Sequence, residues 1–141
     1  MVINLAIGSV TAASKTINIK NGEWESFWGA ASNSEMDKYV IKKSGNFEVK
    51  IDMEYQKYNK KWATKNMPKK YFKKLVLSAE SKKKFKSATF YLYDDKTGKY
   101  QKKLTFKPQS TYLDPATKGY FVYKKYDMNH RYNCKKVVIN Y

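Results

Sequence analysis

The segment Phe85–Phe106, FKSATFYLYDDKTGKYQKKLTF, decides the fold. Ala88, Phe90 and Leu92 alternate with Thr89, Tyr91 and Tyr93, and a period of two sends one set inward and the other toward water. Asp94-Asp95-Lys96-Thr97-Gly98 then supplies turn formers, with Gly98 free to take positive φ, before a return strand reaching Leu104 and Phe106. The segment therefore predicts a β-hairpin. Two strands alone are marginal, so this hairpin needs partners.

The rest of the chain offers them. Phe47, Val49, Ile51, Met53 and Tyr55 share one face of a strand, and Glu48, Lys50, Asp52 and Glu54 the other. Such a pattern is that of an antiparallel strand with one wet face. Further strands are predicted at Lys15–Lys20 through Ile17 and Ile19, from Tyr39 to the turn Ser44-Gly45-Asn46, and at Tyr71–Ala79. Tyr120–Tyr126 and Lys135–Tyr141 complete about eight. Gly29–Ser34, Asp114-Pro115 and Lys118-Gly119 read as turns or loops. The fold class is all-β: an antiparallel, jelly-roll-like β-sandwich of seven to nine strands with little helix. Its core should hold Phe47, Val49, Ile51, Leu75, Leu77, Phe90, Leu92, Val122, Val137 and Ile139.

With 141 residues the chain has room for one domain, and 42% hydrophobic residues exclude a disordered one despite the charge. Residues 15–141 form that domain in this reading. Met1–Ser14, MVINLAIGSVTAAS, resembles the later part of a secretory signal peptide. The apolar run Val2–Val10 is followed by small residues, although no positively charged segment precedes it. An ordinary first strand is the other reading. No stretch approaches the length of a transmembrane helix, so no membrane span is expected and the predicted location is extracellular.

The net charge is +17, and only Arg131 among the 29 basic residues is arginine. Lysine is a strongly hydrated point charge, ill suited to bidentate recognition of bases. AT-rich coding DNA would also favour lysine, but it would spread the charge evenly. Residues 1–55 instead carry a net −1, residues 56–87 a net +11, and residues 88–141 a net +7. Gln56–Lys70 loses all periodicity, contains Asn66-Met67-Pro68 and reads as a long basic loop with room for a short helix at Asn59–Lys65. Within it Tyr58 and Trp62 interleave with Lys57, Lys60, Lys61, Lys65, Lys69 and Lys70. Cations that track a polymer and aromatics that stack on its units are what anionic-polymer binders combine. These eight residues are the predicted ligand site. The expected partner is an anionic cell-wall polymer or glycan, with a host or bacterial surface protein as a further class. Nucleic acid is disfavoured if the chain is exported. A lysine coat that keeps sheet edges apart, with Trp62 in the core, is the reading without a ligand.

Catalysis finds little support. His130 is the only histidine and Cys134 the only cysteine, so neither a disulfide nor a two-histidine metal site can form within the chain. Four extended residues span about 13 Å, too far for a Cys134–His130 nucleophile pair. No phosphate-cradling glycine loop or nucleophile elbow is present, and Asp94 and Asp95 sit where aspartate serves the turn backbone. The chain is expected to need no cofactor or metal and not to be an enzyme.

Gly45-Asn46-Phe47-Glu48-Val49, Ala88-Thr89-Phe90-Tyr91-Leu92-Tyr93-Asp94 and Lys118-Gly119-Tyr120-Phe121-Val122-Tyr123 lie in this order within residues 44–141. Together they resemble the bacterial pre-peptidase C-terminal type of domain. That resemblance implies a secreted β-sandwich acting as a non-catalytic binding module. The chain departs from the family in its basic loop and in lacking the acidic clusters that calcium-binding relatives use.

Overall fold

The computed structural model describes residues 13–28, 34–57, 72–112, 117–127 and 132–141. Within these, ten strands form two antiparallel sheets, and the only helical element is a 3-10 turn at Asn21–Glu23. The strands are β1 (Ser14–Asn18), β2 (Glu25–Trp28), β3 (Ser34–Ser44), β4 (Phe47–Lys57), β5 (Phe72–Ser81), β6 (Ser87–Asp94), β7 (Tyr100–Phe106), β8 (Gln109–Tyr112), β9 (Lys118–Asp127) and β10 (Tyr132–Asn140). One sheet has the order β1-β10-β6-β7 and the other β2-β3-β4-β5-β9-β8. The last strand lies between the first and the sixth, which gives the wrap of a jelly-roll-like sandwich.

All eight strands legible in the sequence are present. The two additions, β2 and β8, are four-residue strands at the edges of the six-stranded sheet, too short to show alternation. Lys118 and Gly119, expected in a turn, already pair with Tyr112 and Thr111. The predicted hairpin is β6–β7, and Gly98 has φ +72° at its turn. There the Asp94 carboxylate accepts backbone N–H bonds from Lys96 at 2.9 Å and Thr97 at 2.6 Å.

Each sheet turns one alternate set of side chains inward. Every residue expected in the core is buried there, joined by Ile17, Ile19, Val40, Phe85 and Ala88 among others. Burying such side chains contributes roughly 1.5–3 kcal/mol apiece. Ring contacts tie the sheets together. Phe106 of β7 stacks on Tyr126 of β9 at 6.4 Å, and Phe47 of β4 lies 5.3 Å from Tyr141, which follows β10. Polar clasps close the rim: Lys38 of β3 reaches Asp95 in the β6–β7 turn at 3.4 Å, and Lys42 bonds Glu23 at 2.9 Å.

Candidate binding face

Alternation and register together fix what each sheet shows to solvent. On the six-stranded sheet the outward rows are Tyr39–Asp52–Val76–Lys125, Ile41–Lys50–Ser78–Tyr123 and Lys43–Glu48–Glu80–Phe121. Three lysines and three carboxylates are mixed there, and Lys43 pairs with Glu48 at 3.5 Å. A mixed face of this kind holds no sustained field of one sign.

The four-stranded sheet differs. Its outward rows are Thr16–Val138–Thr89–Thr105, then Asn18–Lys136–Tyr91–Lys103, then Asn133–Tyr93–Tyr100. No acidic residue stands in any of them. Three tyrosines form a connected group, with ring centres 5.6 Å apart for Tyr93–Tyr100 and 6.5 Å for Tyr91–Tyr100. Tyr100 is 52% exposed, so a flat ligand can reach its ring.

A β-bulge makes this face more basic than plain alternation would. The β10–β6 register passes from Cys134 opposite Leu92 directly to Lys136 opposite Tyr91, leaving Lys135 as the extra residue. A bulge re-aims its side chains, and here both consecutive lysines reach aromatic rings. The Lys136 ammonium lies 4.5 Å from the Tyr91 ring centre, and that of Lys135 lies 4.8 Å from Tyr93. The bulge is held from the other side, because Ile19 N–H donates to Lys135 O at 2.8 Å. Cation–π contact parks each charge over a ring without neutralising it. Chemically, the face offers ring surfaces for stacking beside ammonium groups already held in place.

The predicted site residues fall differently. Lys57 ends β4 opposite Ser34. Tyr58, Lys60, Lys61, Trp62, Lys65, Lys69 and Lys70 lie outside the described residues, as do His130 and the helix considered at 59–65. The described lysines of the basic span 56–87 lie at both ends of β5. Lys74 sits near the start of β5, whereas Lys82, Lys83, Lys84 and Lys86 follow its end, about 25 Å away along the strand.

Cys134 is 1% exposed, and burial pushes its thiol up to about 12, so it is no nucleophile at neutral pH. Among the described residues no group of three or more His, Cys, Asp or Glu is placed to hold a metal ion, and no helix is long and apolar enough to cross a membrane. No protein-family model, curated protein or solved structure matches this chain.

Proposed function

We propose that this protein is a secreted, non-catalytic module that binds an anionic glycan or wall polymer at the bacterial surface. The observation that supports the reading is the outward face of the four-stranded sheet, where Tyr91, Tyr93 and Tyr100 meet Lys103, Lys135 and Lys136 with no carboxylate among them. Sugar rings present apolar faces that stack on tyrosine, and their acidic substituents complement ammonium groups. Export rests on the apolar run Val2–Val10 and the small residues after it. The lysines of residues 57–70 would add to the attraction as a long-range field.

Retention on purified bacterial walls tests this reading. Walls bearing their anionic polymers should hold the protein at low salt and release it as salt shortens the screening length to about 3 Å at 1 M. Walls stripped of those polymers should not hold it. Tighter binding to a single-stranded oligonucleotide than to any anionic glycan would replace the proposal with nucleic-acid recognition, since sheet-borne aromatics beside cations also suit bases.

A further inference from the structure

A second basic feature lies where the chain crosses between the sheets. Lys82–Lys86 leads from β5 to β6, and Lys107-Pro108 leads from β7 to β8. The two links are neighbours, because Ala88 pairs with Phe106, Ser81 with Tyr120, and Gln109 with Phe121. Between them opens a hollow of about 550 Å³ whose charged lining is Lys84, Lys86, Lys107 and Lys118. Among the described residues no acidic one lines it, and none of the four lysines is ion-paired.

Local structure explains why they converge. Phe85 is 2% exposed and packs edge-on against Phe47 at 6.0 Å. Its two chain neighbours, Lys84 and Lys86, are left on the outside, and Lys86 is pinned by its N–H donating to Asn140 O at 2.6 Å. Lys107 precedes Pro108 and is held extended. Lys118 opens β9 opposite Tyr112. Four like charges around one hollow repel, and a bound anion offsets that cost.

Size narrows the ligand. The hollow, about 550 Å³ and open to solvent, is wider than a bare oxyanion. Tyr120 and Pro108 supply apolar wall and Ser110 a hydroxyl. The geometry points to a binding site for a sugar unit carrying a tetrahedral oxyanion, phosphate or sulfate. This site is separate from the tyrosine face and does not depend on it.

The test is titration of the full chain with glucose 6-phosphate, glucose 6-sulfate, glucose and inorganic phosphate, followed by amide NMR shifts. Both esters should give saturable shifts at Lys84–Lys86, Lys107 and Lys118, and glucose none. A phosphate-only response assigns a phosphorylated unit, a sulfate-only response a sulfated one. A unit charge at ~6 Å in water is worth about threefold in affinity, so Lys107→Gln with Lys118→Gln should weaken binding roughly tenfold. The melting temperature should hold, and Tyr100→Ala should leave this affinity unchanged. Shifts without saturation, shifts shared equally by Lys50 and Lys125, or no response to the double substitution would overturn the site. Inorganic phosphate binding as tightly as the sugar esters would overturn the saccharide assignment.

Discussion

The ammonium of Lys136 stands 4.5 Å from the centre of the Tyr91 ring, directly across the β10–β6 ladder. That pairing exists because the bulge at Lys135 sets the phase of β10. Cys134 and Val137 both point inward although they are three residues apart, an odd spacing that an unbroken strand could not satisfy. The irregularity that keeps the core filled also delivers two adjacent lysines to the same tyrosine-bearing face.

The hairpin turn should be sensitive to its first residue. Asp94→Ala removes the acceptor of two backbone N–H groups. Hydrogen bonds to a charged group are worth about 1.5–3 kcal/mol, so chemical denaturation should show a loss of about 2 kcal/mol or more. Gly98→Ala tests a different term. The nearest atom to a new Cβ is Lys135 Nζ at 3.9 Å, so space is open and only the positive φ opposes the change. That costs roughly 1–2 kcal/mol.

Cys134 predicts an alkaline weakness. Its thiol is raised by burial to about 12 in the folded state, against the ordinary value near 9 once unfolded. The folded state therefore keeps a proton that the unfolded state gives up. Stability from this group is complete below about pH 8.5 and falls by about 1.4 kcal/mol per pH unit until the folded thiol also ionises. Thermal melts from pH 8 to 11 should show the decline, and Cys134→Val should flatten it. A thiol reagent at pH 8 should label the native protein only as fast as it unfolds.

Glu23 predicts the opposite sign. Its carboxylate accepts from the Lys42 ammonium and from the Lys20 backbone N–H, and the first of these does most to hold it below the ordinary carboxylate range. The stability it contributes is present above that range and is lost as pH falls through the lowered folded value. Lys42→Met should move the Glu23 titration, followed by side-chain carboxyl NMR, back upward.

Most of the fold was legible because alternation survives wherever a strand has one dry face. Phe47–Tyr55 and Ala88–Leu92 are of this kind, and the glycine of the β6–β7 turn was equally plain. The beginning of β10 was hidden because the bulge between Cys134 and Lys136 breaks the period. β2 and β8 were hidden because four residues at an edge need no pattern. The tyrosine face was half legible. Tyr91 and Tyr93 occupy the outward phase of the opening strand, but what surrounds them depends on which strands pair with it. Lys135 and Lys136 arrive from more than forty residues away in sequence, and Tyr100 only through the β7 register. Linear charge density drew attention to residues 56–87, and of its described lysines Lys73 and Lys74 open β5 while Lys82, Lys83, Lys84 and Lys86 follow its other end.

Tyr100→Ala isolates stacking from charge. Half its surface is already exposed, so the melting temperature should change little. Affinity for an anionic oligosaccharide should fall about tenfold, within the ~1–3 kcal/mol that an aromatic stacking contact contributes. Lys135→Gln with Lys136→Gln should weaken binding as well, and flatten its salt dependence. Equal salt slopes before and after that change would remove these two lysines from the interface.

The most direct measurement is the footprint of an acidic oligosaccharide, a short polygalacturonate, on the backbone amides of the full chain, with a neutral maltooligosaccharide as control. Saturable shifts should gather on Tyr91, Tyr93, Tyr100, Lys103, Lys135 and Lys136, and the rows Ile41–Lys50–Ser78–Tyr123 and Tyr39–Asp52–Val76–Lys125 should stay still. Shifts that map to the six-stranded sheet, or that spread over every lysine without saturating, would contradict the account.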